Sequence, residues 1–235
     1  MKKIALFTSL IFSISVIADE EPGWSGKGEF GLVATSGNTE TTTLNLGLEF
    51  IHQAANWRHR ATLAALMAED NSVDTADRQA FEWQSDYKLN EVSYIFGAFR
   101  YETDDFAGFD EQNSLTFGYG RQLIDNDTHK LKGEIGAGVV DRRDAVTRIS
   151  DSEAIIRGLL DYAYTISETT NFTNRFLVEA GSDNTFLEND AALAVSINDK
   201  MALQFGVAVR HNTDAPTGTD DTDTVTSANL VYNFK

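Results

Sequence analysis

From Trp24 to the carboxy terminus, apolar residues recur at every second position. In Leu44-Asn45-Leu46-Gly47-Leu48-Glu49-Phe50 the even positions are apolar. Between Lys130 and Val139 the odd positions are apolar or Gly, and Leu203, Phe205, Val207 and Val209 alternate with Gln204, Gly206, Ala208 and Arg210. Strict alternation marks a strand with one apolar and one polar face, whereas an amphipathic helix repeats near 3.6 residues. The pattern predicts about twelve strands, near 24–35, 42–53, 57–68, 78–89, 92–103, 112–123, 129–140, 153–165, 171–181, 186–197, 201–211 and 224–234. The segment from Val92 to Thr103 is apolar on both faces for half its length, which leaves its orientation open. No stretch after residue 20 carries a convincing helical period.

The connections alternate in length. Short ones fall at 54–56, 90–91, 125–128, 167–170 and 198–200. Between them lie 69–77, 103–110, 141–151 and 212–223, with 36–41 and 182–185 in the same alternating positions. An all-β, antiparallel up-and-down meander with short turns at one end and loops at the other is the layout of a transmembrane β-barrel of the outer membrane. Because twelve is even, both termini are expected on the periplasmic side and the longer connections outside.

Charge changes the picture in two ways. The 235 residues carry a formal net charge of −17 and no Cys, which argues against a nucleic-acid binder and excludes a disulfide framework. The charges also segregate. The polar strand faces hold a balanced set, whose candidate lumen or pore-lining members are Glu49, Arg58, Arg60, Glu82, Arg100, Glu102, Glu134, Arg157, Asp161, Arg175, Glu179, Glu188, Asp190 and Arg210. Lys27, Arg78, Lys88, Lys130, Lys132, Glu29, Asp86 and Glu153 complete eleven bases against eleven acids. The apolar faces carry almost no charge apart from Arg121, as expected when a lipid-facing Arg or Lys costs roughly 2–4 kcal/mol at the midplane. The six outer connections hold sixteen acids against Arg142, Arg143 and Arg148. Such a surface should favour cations weakly at a pore mouth, within a Debye length of about 8–10 Å.

The amino terminus reads differently. Lys2 and Lys3 precede an apolar run from Ile4 to Ile17, and Val16 and Ala18 occupy the −3 and −1 positions before Asp19. This predicts a cleaved secretory signal peptide over 1–18, whose apolar run of 14 residues is too short for a spanning helix of about 17–25, and a barrel domain over 19–235. Trp57, Tyr87, Tyr119, Tyr164, Phe172 and Phe234 gather toward the short-turn side, as an interfacial girdle would.

Candidate chemistry is sparse. Gly37-Asn38 reads as a tight turn. Asp214, Asp220, Asp221 and Asp223, like Asp104, Asp105 and Asp110, read as solvated loop acids more readily than as a Ca²⁺ site, and their spacing is not that of an EF-hand. His52, His59, His129 and His211 have no metal-ligand spacing, and no GxSxG elbow occurs. No catalytic residue, cofactor or metal site is expected.

The run Trp24-Ser25-Gly26-Lys27-Gly28-Glu29-Phe30-Gly31-Leu32-Val33-Ala34-Thr35-Ser36-Gly37-Asn38-Thr39-Glu40-Thr41 resembles the salt-induced outer membrane proteins, a domain family of unknown function in Gram-negative bacteria. Arg100 to Asp110 and Gly118 to Asp125 add to the likeness, which covers nearly the whole mature chain. The resemblance implies an outer-membrane barrel and supplies no catalytic residue. The end Ala228-Asn229-Leu230-Val231-Tyr232-Asn233-Phe234-Lys235 looks like the carboxy-terminal assembly signal of such barrels, departing from it in the final Lys. The expected partners are outer-membrane lipid, lipopolysaccharide and the barrel-assembly machinery, around a monomer. The leading expectation is an outer-membrane barrel with an envelope or osmotic-stress role, forming a narrow channel. Two alternatives stand beside it. A lipid-modifying enzyme would show a Ser–His pair on the outer wall, and a secreted soluble β-sandwich would be told apart by membrane fractionation.

Overall fold

The structure is a computed structural model that describes residues 23–34, 41–216 and 219–234. Twelve strands run in chain order: β1 Gly23–Ala34, β2 Thr41–Gln53, β3 Trp57–Asp70, β4 Val73–Lys88, β5 Ser93–Asp104, β6 Phe109–Asp125, β7 His129–Asp144, β8 Ser150–Ser167, β9 Thr170–Ala180, β10 Thr185–Ser196, β11 Met201–Asn212 and β12 Thr222–Phe234. Each pairs antiparallel with its sequence neighbours, and β1 pairs with β12, Gly28 opposite Tyr232, to close the barrel. Closure gives every strand a neighbour on both sides, β1 and β12 meeting over Gly26–Phe30 and Leu230–Phe234. The expected signal peptide, the Gly37-Asn38 turn and Lys235 lie outside the described residues.

Alternation sets which side chains face in. On β2, Gly47, Glu49, Ile51 and Gln53 are buried while Phe50 is exposed. The outer face is apolar all round: Phe117, Ile135, Ile156 and Phe205 are 62%, 64%, 64% and 58% exposed. β5, ambiguous in sequence, turns Phe96 and Glu102 inward and Ile95, Phe99 and Tyr101 outward.

Several of the expected outer loops are in part strand among the described residues. The proposed loop 69–77 is a two-residue hairpin, Asn71-Ser72, in which both residues take positive φ, 49° and 65°. That is the twist a two-residue hairpin requires, and Asn tolerates it. The acids counted as loop residues therefore stand on strands that extend past the apolar belt: Asp74 and Asp77 on β4, Asp110 on β6, Asp141 and Asp144 on β7. Polarity alone cannot separate an emergent strand from a loop.

The interior is not uniformly polar. Phe96, Val140, Ile155, Leu159, Leu177 and Phe186 face inward and are buried, and Leu159, Leu177 and Phe186 form one cluster. Gly120 makes room for a further ring: a Cβ there would stand 2.1 Å from Cζ of Tyr94. Gly120→Val should therefore displace Tyr94 and cost about 1–3 kcal/mol, read as a lowered midpoint in thermal or urea unfolding of the detergent-solubilised barrel. An unchanged midpoint would contradict the packing. Single-Cys scanning of residues 44–50 should label Leu44, Leu46, Leu48 and Phe50 with membrane-soluble reagent and Asn45 and Glu49 with water-soluble reagent.

Candidate functional site: the charged lumen

All fourteen lumen candidates lie on inward strand positions, and they do not line the wall evenly. Arg100 and Glu102 project from β5, Glu82 and Arg78 from β4, Arg175 from β9, Glu188 from β10 and Arg210 from β11. In the ring of twelve, β5 and β11 stand diametrically opposite. Arg210 nevertheless reaches Glu102 with two parallel bonds, Nη1 to Oε1 at 2.6 Å and Nη2 to Oε2 at 2.8 Å. Its Nε donates to Glu188 at 3.0 Å. Arg100 donates to Glu102 at 2.6 Å and to Glu188 at 3.3 Å. Arg78 Nε donates to Glu102 at 3.1 Å, and Arg175 donates to Glu82 at 3.3 Å. The contacts thus span the lumen from wall to wall. Phe186 lies beneath, its ring centroid 5.0 Å and 5.1 Å from the guanidinium carbons of Arg100 and Arg210. A flat aromatic face attracts a cation at this range.

A second cluster joins β4, β5, β7 and β8. Glu134 accepts from Arg157 at 2.7 Å, from the Tyr94 hydroxyl at 2.7 Å and from Gln84 at 3.0 Å. Lys132 lies 3.5 Å from both Glu134 and Asp161. At the outer-loop end, Arg142 pairs with Glu153, while Arg143 and Arg148 converge on Asp110. The three bases of that end are therefore tied down. Its acids also cap their own turns: Asp104 accepts from the backbone amides of Phe106 and Ala107, and Asp144 from those of Val146 and Thr147. Among the described residues no group of three or more acids or His could hold a metal ion.

The networks fill the lumen on one side. A cavity of about 240 Å³ remains beside them, against β1 to β4 and β8 to β12. Ala64, Ala192, Gly206 and Ala208 line it with small side chains, together with Lys27, Glu29, Glu49, Arg60, Arg175, Asp190 and Asn229. Arg58 and Glu179 stand outside it. Alternation alone predicts charges within the barrel. It does not reveal which strands stand opposite one another, so Arg78, Tyr94, Gln84 and Phe186 carry no signal as network members until the ring closes.

The outer wall carries a feature of its own. Near the terminal end, His59 Nδ1 lies 2.8 Å from Ser85 Oγ. The Trp83 indole donates to the same Ser85 oxygen at 2.9 Å, and the His59 ring stacks between Trp57 at 5.7 Å and His52 at 6.3 Å. Ser85 and its neighbours sit in paired strands, so their amides are committed to the ladder. A nucleophile needs a base oriented by a third group and an oxyanion site. The pair has neither among the described residues. Trp24, 4.5 Å from His52, extends the group into the aromatic and histidine belt expected of an interface.

A family model described as a protein of unknown function, DUF481, matches residues 28–234. The chain belongs to this family. A curated relative, the uncharacterized protein YdiY of Escherichia coli strain K12, is 27% identical over 224 residues, which cover 92% of this chain and 86% of that protein. Among solved structures, an outer membrane channel from Pseudomonas putida F1 superposes with a TM-score of 0.54 at 11% identity, covering 95% of this chain and all of that one. The NanC porin superposes with a TM-score of 0.52 at 10% identity, covering 91% of this chain and all of that one. At these identities the likeness is one of fold: a closed barrel of the outer-membrane porin and channel kind.

Removing one partner of a buried ion pair leaves an uncompensated charge, at a cost of about 3–5 kcal/mol. Glu102→Leu, which leaves Arg78, Arg100 and Arg210 to share Glu188, should destabilise the barrel by that order. Adding Arg210→Leu should recover a good part of the loss. Unfolding midpoints of the two single variants and the double variant check it. Additive losses would mean that the two residues do not act together.

Proposed function

We propose that this protein is an outer-membrane barrel, exported by the leader at residues 1–18, that serves as a narrow, weakly cation-favouring channel in an envelope or salt-stress role. The observation that carries this reading is the off-axis cavity beside the cross-lumen network. Twelve strands lie between the filled eight-stranded barrel and the open sixteen-stranded porin, and the network narrows the lumen further. The cavity lining has six acids, Glu29, Glu49, Glu82, Asp161, Glu188 and Asp190, against four bases, Lys27, Arg60, Arg78 and Arg175. A low-dielectric wall focuses such an imbalance and raises the local concentration of the opposite charge. The acidic outer end works in the same direction. Its effect extends over about 8–10 Å at physiological salt. The monomer would sit among lipid and lipopolysaccharide after insertion by the barrel-assembly machinery.

Purified protein in planar bilayers tests the channel. Conductance should be small, and the reversal potential across a KCl gradient should favour K⁺, more so at low salt. Asp220→Asn, Asp221→Asn and Asp223→Asn together should reduce that preference. Anion selectivity, or complete silence in the bilayer, would overturn the reading. The His59–Ser85 pair favours a second reading, an enzyme acting on lipid. Labelled phospholipid in mixed micelles should show no turnover by the wild-type protein. Hydrolysis that vanishes in Ser85→Ala would establish the enzyme instead.

A further inference from the structure

We infer that the off-axis cavity is a binding site for a small alkylammonium solute, a cation that presents N–H donors. The inference rests on the channel reading for its role, since the bound solute would be the one that passes. The site itself stands on its own contacts.

The acids of the cavity fall into two sets. Glu49, Glu82, Asp161 and Glu188 each have a basic partner within 4.0 Å: Lys27 at 3.5 Å, Arg175 at 3.3 Å, Lys132 at 3.5 Å and Arg210 at 3.0 Å. Glu29 and Asp190 have no ion pair within 4.0 Å among the described residues. Glu29 is 3% exposed, and its Oε1 has no hydrogen-bond partner. Asn229 is 6% exposed. Its Nδ2 donates to Ser227 Oγ at 2.9 Å, and its Oδ1 has no partner. Charged or carbonyl oxygens removed from water without a donor are costly. They would be satisfied by a ligand that donates.

The arrangement selects among cations. Glu29 on β1, Asp190 on β10 and Asn229 on β12 supply fewer oxygens than the six to eight of one Ca²⁺ shell, and among the described residues no group of three or more acids or His could hold a metal ion. Acceptors spread around a roomy cavity suit an organic cation with several N–H bonds. Ala64, Ala192, Gly206 and Ala208 provide space for its carbon skeleton. Gly31 adds to this seam: a Cβ there would stand 2.2 Å from Asn229 Oδ1, so a side chain at that position would push the amide out of place. Arg60 lines the same cavity without an ion pair within 4.0 Å among the described residues, and offers a partner to an anionic substituent on the solute.

Calorimetric titration of the full-length protein in detergent, with ethylammonium, tetramethylammonium and acetate as probes, tests the site. Ethylammonium should bind with a dissociation constant on the order of millimolar, as a ligand of three non-hydrogen atoms allows. Tetramethylammonium has the same charge and no N–H donor, and should bind about 10-fold more weakly. Acetate alone should not bind measurably. Glu29→Gln and Asp190→Asn should each weaken ethylammonium about 10-fold, and Ala192→Phe, which fills the cavity while keeping every charge, should abolish binding. Equal binding of the two cations, or ethylammonium binding untouched by Glu29→Gln and Asp190→Asn, would overturn the site. The comparison of probes on the wild-type protein needs no variant to fold. Binding without conductance in bilayers would keep the site and sink the channel. Conductance with no ethylammonium binding would keep the channel and sink the site.

Discussion

Arg210 and Glu102 meet from opposite walls of the barrel, and the character of the lumen depends on that contact. A closed sheet has to put half of its side chains inside. Charges there lie largely out of water and must find partners. Where a partner stands on the neighbouring strand, as Lys132 and Asp161 do across β7 and β8, the wall is reinforced and the lumen stays clear. Where the partner stands across the ring, the same requirement builds a bridge. Arg78 and Arg100 with Glu188, Arg175 with Glu82 and Arg210 with Glu102 make such bridges. The lumen is thereby divided, and the cavity lies to one side.

The wall follows from the same alternation that supplies those charges. Backbone groups are satisfied between strands, so the outer face is free to be apolar throughout and the inner face to be chosen for fit. Small and large inner residues are not mixed at random. Phe96, Leu159, Leu177 and Phe186 fill the β5 to β10 side, where Phe96 and Phe186 also support arginines. Ala64, Ala192, Gly206 and Ala208 keep the other side open. An eccentric cavity is the direct result of that asymmetry.

Strand number, order and facing are legible in the sequence because period two is a local property of each segment. Leu44 to Phe50 declares its outer and inner faces without reference to any other strand. Two features are not legible in this way. The residues 69–77 read as a loop because Asp70, Asn71, Asp74 and Asp77 are polar, yet strands that emerge from an apolar belt become polar on both faces while staying paired. The partner of Arg210 could not be read either, since a contact over 108 residues is set by closure, tilt and register together. The site was legible as a set of charges, and its geometry waited for the ring. Likewise Glu29 and Glu49 look alike in sequence, and they differ in whether a basic group stands within reach.

The cross-lumen network obstructs the barrel. Single-channel conductance of the Glu102→Leu/Arg210→Leu double variant, set beside the wild-type protein in the same bilayer and salt, tests it most directly. Removing the pair takes out the contact between diametrically opposite strands β5 and β11 and leaves the outer face untouched. A conductance several-fold larger than wild type is expected. An unchanged conductance in a folded double variant would show that the bridges do not narrow the path.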